Sequence, residues 1–134
     1  MPNGASGGTR ASGPTYLGLD IGTSAVKAVL ITDDQQILAS ESTSMDVSRP
    51  HPGWSEQDPE SWLEATRQSM AKLKAVQPEA LSRLAGIGLS GHQHGATLIG
   101  ADGKPLRPCI LWNDGRASVE CGELEAKADF RGIA

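Results

Sequence analysis

Apolar and polar positions change period several times along the chain, and each change predicts an element. Tyr16 to Ile21 is a short apolar strand, and Ala25 to Thr32 ("AVKAVLIT") is a second, with Val26, Ala28 and Leu30 on one face and Lys27 on the other. A polar reversal over Asp33–Gln36 leads to a third strand, Ile37 to Met45, whose serines and threonines predict a sheet edge. The three strands together predict an antiparallel meander. After the proline-rich "SRPHPGWSEQ", Asp58 can cap free amides while Pro59 takes the first helical position, so a helix is expected from there to about Val76. Leu63, Met70, Leu73 and Val76 recur at helical spacing and are expected to form its buried face.

Beyond Pro78 the pattern predicts a short helical piece to about Leu84. "AGIGLSG" then follows, a small-residue strand of the kind buried on both faces of a parallel sheet. "GATLIGADGKPLRPCILWNDGR" reads as two strands about the turn Ala101–Lys104, closing on a polar loop at Trp112 to Arg116. A last helix is expected over Ala117 to Lys127. The sum is an α/β fold built of meander, helix and parallel strand.

Composition narrows the classes of function. Twelve Lys and Arg against sixteen Asp and Glu leave a net charge of −4, and the basic residues are scattered singly. Nucleic-acid binding needs a basic stripe, so no such partner is expected. No apolar stretch approaches the roughly 20 residues that span a bilayer, and the start lacks a secretory apolar region. The expected setting is soluble and cytoplasmic, without a membrane partner. Cys109 and Cys121 have neither zinc-ligand spacing nor disulfide density, and read as two free thiols. Residues 1–14, "MPNGASGGTRASGP", are rich in Gly and Ser with little apolar content, and are expected to form a flexible tail ahead of a folded unit at 15–134.

Candidate chemistry begins at Asp20-Ile21-Gly22-Thr23-Ser24. A carboxylate ends one strand, a glycine permits close backbone approach, and two hydroxyls sit beside exposed amides. Such a nest favours an anion, and the carboxylate can hold a magnesium ion that accompanies a nucleotide. The same residues also make an ordinary tight hairpin, and the turn by itself supports both readings. No Walker A loop occurs, and Gly18 with Gly22 does not make a G-x-G-x-x-G fingerprint. "GLSGH" has His92 where the G-x-S-x-G of a hydrolase elbow requires glycine, so Ser90 reads as a small strand-end residue. His92 and His94 share one face and could pair on a metal, although His51 is the only other histidine. Trp54 and Trp62 flank the helix start and are expected to pack that loop onto the domain.

The D-x-G-T-S turn resembles the first phosphate loop of the superfamily that holds actin, the heat-shock ATPase chaperones and sugar kinases. "SRPHPGWSEQDPESW" (48–62), "GIGLSGHQHGATL" (86–98) and "LRPCILWNDGR" (106–116) resemble, in order and spacing, the amino-terminal third or so of the FGGY carbohydrate kinases, the xylulokinases in particular. The resemblance implies a ribonuclease-H-like (actin-like ATPase) domain, incomplete here, and an ATP-dependent phosphoryl transfer to the 5-hydroxyl of D-xylulose. It implies that Asp20 lies near Mg, through water, and that Gly22, Thr23 and Ser24 line the phosphate side. Gln93 and His94 would contact the sugar, with Gly95 leaving room for it, and Asp114 and Arg116 would face or support the sugar pocket. Asp114 could equally organise its own turn. The family pattern G-Q-M-H-G is Gly91-His92-Gln93-His94-Gly95 here, which adds a donor and an acceptor beside the substrate and bears on which sugar is taken. The resemblance places the general base beyond Ala134, so the chain alone is expected to be inactive and marginally stable. Ribulose, gluconate or glycerol kinases, and a short non-catalytic sugar- or nucleotide-binding protein, are the competing expectations.

Overall fold

A computed structural model describes residues 13–127. The expected tail lies outside the described residues except for Gly13 and Pro14, as does the stretch after Lys127. The meander comprises β1 (Thr15–Ile21), β2 (Ala25–Thr32) and β3 (Ile37–Ser44). β1 and β2 are antiparallel, with Thr15 opposite Thr32 and Ile21 opposite Val26. The chain then passes through the two-residue β4 (Glu56–Gln57), the helices α1 (Pro59–Val76) and α2 (Pro78–Leu81), and reaches β5 (Leu84–Gly91). β5 runs parallel to β1 on the side away from β2, giving the order β3-β2-β1-β5. β6 (Cys109–Ile110) and α3 (Ser118–Lys127) complete the described elements.

Period-two alternation puts Leu17, Val26, Ala28 and Leu30 on the face that α1 covers, where they are buried with Leu73. The α1 boundaries are local chemistry. Asp58 Oδ1 accepts from the Glu60 amide at 3.0 Å and Pro59 holds the first position, while Pro78 follows the C-cap Gln77.

The buried face of α1 differs from the expected stripe. Ala65, Ser69 and Leu73 are its buried row with Pro59, Met70 is partly buried, and Leu63 and Val76 are exposed. Small residues let the helix sit close to the sheet, where the Ser69 hydroxyl donates to the Val26 carbonyl at 3.1 Å. Lys72 Nζ reaches the Ser42 carbonyl at 2.6 Å, so polar stitches join helix to sheet beside the apolar ones.

β5 also departs from expectation, in burial but not in direction. It pairs parallel as expected, yet Ile87 is 58% exposed and Leu89 73%. α1 lies over β2 and β3, and no strand pairs with the outer edge of β5 among the described residues.

The predicted hairpin after Gly95 is reduced to single bridges, Ala96 with Ile110 and Ile99 with Pro105. The turn itself forms, with Gly100 N donating to Lys104 O at 2.8 Å and Gly103 at φ +78°. Pro105 and Pro108 remove the amides a continuous ladder requires. Cys109–Ile110 pairs with Glu56–Gln57 instead, inside the stretch read as a plain connection.

Candidate active site

Because β1 and β5 are parallel neighbours, the turn after β1 and the segment after β5 emerge at the same end of the sheet. Asp20 lies across from Ser90, whose hydroxyl donates to Asp20 Oδ1 at 3.1 Å. The His92 amide continues the pairing to the Ile21 carbonyl at 3.1 Å. The Asp20 turn and the His92–Gly95 segment are therefore held side by side.

In the turn, Gly22 N donates to Ala25 O at 3.0 Å, and a Cβ on Gly22 would stand 3.2 Å from that oxygen. No acceptor among the described residues takes the amides of Thr23 and Ser24. The turn is thus a tight hairpin and also presents two unpaired donors, the donor set a phosphate oxygen requires. Its carbonyls are tied from behind: Thr23 O accepts from Gln57 Nε2 at 3.0 Å, and Ser24 O from the Met45 amide at 2.8 Å.

Asp20 borders a hollow of about 310 Å³ on the sheet face opposite α1, where Gly18 and Gly88 keep the floor low and Lys27 stands directly across from Asp20. A larger groove of about 450 Å³ between the end of β3 and the first turns of α1 contains none of the sequence-predicted site residues.

Beyond β5, Gln93 and His94 are exposed, and His94 takes the left-handed conformation with φ +59°. A Cβ on Gly95 would meet Cys109 Sγ at 3.1 Å, so the segment is seated closely on β6. No group of three His, Cys, Asp or Glu side chains among the described residues could hold a metal, which leaves His92 and His94 without a third ligand.

Asp114 and Arg116 form a second assembly. Asp114 Oδ2 accepts from the Ser55 amide and from Arg116 Nη2, both at 2.6 Å, while Oδ1 accepts from the amide and Nε of Arg116 at 2.9 and 2.8 Å. Its side chain is 1% exposed. The Arg116 hydrogen bond, with help from the Ser55 amide, holds the Asp114 carboxyl well below the usual carboxylate range, and Asp114 in turn raises Arg116. Arg116 also reaches Glu56 Oε2 at 3.2 Å and stacks over the Trp54 ring at 3.7 Å. Arg107 takes the same Glu56 oxygen at 2.8 Å. The W-N-D-G-R loop is thereby bound to residues 53–56.

Glu56 and Gln57 are the site residues that sequence reading missed. Gln57 is 2% exposed, and besides Thr23 it donates to Asp46 O at 2.9 Å and accepts from Trp62 Nε1 at 2.7 Å. A two-residue strand is too short to leave a periodic signal. Trp62 meets the His92 ring edge-on at 5.0 Å, and Trp54 packs beneath Arg116, so both tryptophans pack as expected.

A β1–β2 hairpin carrying D-x-G-T-S, joined in parallel to a strand that ends in the G-H-Q-H-G segment, is the opening of an actin-like sugar-kinase domain. Residues 15–133 match the N-terminal domain of the FGGY family of carbohydrate kinases, and the chain belongs to that family. Among its relatives, the xylulose kinases of Escherichia coli (strain K12) and Klebsiella pneumoniae are 46% and 49% identical over 112 residues, which is 84% of this chain and 23% of each of those proteins. The solved xyloylose kinase of Brucella ovis superposes with a TM-score of 0.85 at 54% identity, over 89% of this chain and 25% of that one. The xylulose kinase of Rhodospirillum rubrum gives 0.83 at 36%, over 88% and 24%. The chain spans about a quarter of the length of these relatives.

Proposed function

We propose that this chain supplies the phosphate loop and part of the sugar pocket of a kinase that transfers the γ-phosphoryl group of ATP to the 5-hydroxyl of D-xylulose. The observation that carries the reading is the parallel register of β1 and β5, which sets the D-I-G-T-S turn beside the G-H-Q-H-G segment. Similarity to xylulose kinases supports the choice of sugar.

When bound, ATP with Mg supplies the transferable phosphoryl group and the charge neutralisation that such transfer depends on. The Thr23 and Ser24 amides would donate to phosphate oxygens, and Gly22 would keep that surface open. Asp20, its Oδ1 oriented by Ser90, would supply the negative charge that holds the Mg accompanying the nucleotide. Gln93 offers a donor and an acceptor to sugar hydroxyls, His94 offers an imidazole, and Gly95 leaves room above β6. Asp114 and Arg116 support the wall of the pocket through residues 53–56. The proton of the attacking hydroxyl would need a general base, which the family resemblance expects to be a carboxylate. Both substrates fit a cytoplasmic enzyme, and no helix among the described residues is long and apolar enough to cross a membrane.

A second reading, a gluconate kinase of the same family, draws on the gluconokinase of Bacillus subtilis, 35% identical over 101 residues, and on Gln93 in the sugar segment. The test is ADP release by the gene product that carries this sequence, with Mg, ATP and a panel of D-xylulose, D-ribulose, gluconate and glycerol. The proposal expects kcat/KM to be highest for D-xylulose, with a phosphorylated pentulose as product. A higher value for another sugar overturns the choice of substrate. Absence of release with every sugar, together with an intact mass near 14.0 kDa, would make the protein a binding module.

A further inference from the structure

We propose that Gln57 is a positioning residue that sets the direction of the Ser24 amide in the phosphate loop and ties that loop to the sugar segment; this rests on the phosphate-loop reading above. The three bonds of the Gln57 amide fix its orientation, because the flipped group would face two carbonyls with its oxygen and the Trp62 N–H with its nitrogen. The Thr23 carbonyl and the Ser24 N–H belong to one planar trans peptide and point in opposite directions. Holding the carbonyl inward against Gln57 therefore turns the N–H outward, toward the side where a phosphate would bind.

The same residue reaches the sugar segment by two routes. Trp62, which donates to Gln57, packs edge-on against His92. Gln57 itself pairs in the ladder with Cys109, whose sulfur sits against Gly95, while the next residue, Ile110, exchanges two backbone hydrogen bonds with Ala96 at 2.8 and 3.1 Å. The β4–β6 ribbon is thus the common support of both loops, and Gln57 is its only side chain hydrogen-bonded to the phosphate loop among the described residues.

The test compares Gln57→Met with the double variant Gln57→Met/Trp62→Phe in the gene product that carries this sequence. Gln57→Met keeps the shape but strands the Trp62 N–H and two carbonyls; the second change removes the stranded donor and returns part of the lost stability. Hydrogen exchange is read at the Gly22 and Met45 amides, which donate to the loop carbonyls Ala25 O and Ser24 O. In Gln57→Met both amides should exchange about tenfold faster, and kcat should fall about tenfold with the sugar KM little changed. In the double variant Tm should recover while both defects persist. Exchange within about twofold of the unsubstituted protein, or defects that vanish as Tm recovers, would overturn the proposal. Exchange decides this even if the gene product phosphorylates none of the sugars, an outcome that would overturn the kinase reading alone.

Discussion

The two flanks of β1 are finished in opposite ways. Toward β2 and β3 the sheet is roofed by α1, and Leu17, Ala28 and Leu30 are buried in one cluster with Leu73. Toward β5 no strand pairs with the outer edge among the described residues and Ile87 and Leu89 stand in the open, while close by the polar ribbon β4–β6 is dense with hydrogen bonds. Apolar contact secures the first flank without saying much about direction. The second flank, where the candidate chemistry lies, is fixed by bonds that each specify an orientation: Asp114 on Ser55 and Arg116, Gln57 on Thr23, and the His92 amide on Ile21. Stability and positioning are thus drawn from different parts of one small sheet.

Substitutions at five positions sharpen that contrast. The largest effect is expected under α1: Leu30→Ala or Leu73→Ala, at fully buried positions, should cost about 2–5 kcal/mol in denaturant unfolding. Next comes Asp114→Asn. Because folding lowers the pKa of Asp114 from its ordinary 3.8, its contribution is present above that value and is lost as pH falls below it. Tm of the unsubstituted chain should drop through that acid window, and the variant, already weaker at pH 7, should show a flatter profile; an unchanged slope would contradict the clamp. Asp58→Ala removes the α1 cap and should cost about 1 kcal/mol, read by urea titration. The smallest effect belongs to the open edge, where Leu89→Ala in this chain should change stability by less than about 0.5 kcal/mol. Leu89→Lys should raise solubility, since it puts a charge on an exposed edge strand.

How far the sequence foretold these features depended on how local their causes are. Asp58, Pro59 and Pro78 mark the ends of α1 by chemistry within one turn, and both boundaries agree with expectation. Alternation located β1 and β2 in the same way, and the small residues of β5 foretold its parallel pairing. Burial is a property of neighbours, so the exposure of Ile87 and Leu89 was not legible, nor was the choice of Ala65 and Ser69 over Leu63 as the contact row of α1. Within the site, the Asp20 turn and the Gln93–Gly95 segment stood out by motif, and Asp114 left two readings open. The structure shows the bonds by which Asp114 organises its turn, which accounts for its burial and its low pKa. Gln57 carried no signal because its role comes from Thr23, Asp46 and Trp62, two of which are remote in sequence.

The ribbon also has a kinetic meaning. The hairpins β1–β2 and β2–β3 join neighbouring segments, whereas β4 must find β6 across a loop of about 50 residues, and closing such loops slows folding. As the polypeptide leaves the ribosome, the D-I-G-T-S turn can form as soon as β2 has emerged, yet Gln57 can take its place in the ladder only after Cys109 appears. A nascent chain therefore leaves the candidate phosphate-binding turn without its brace for the time needed to synthesise that interval, and order at this end of the sheet arrives late, with β6.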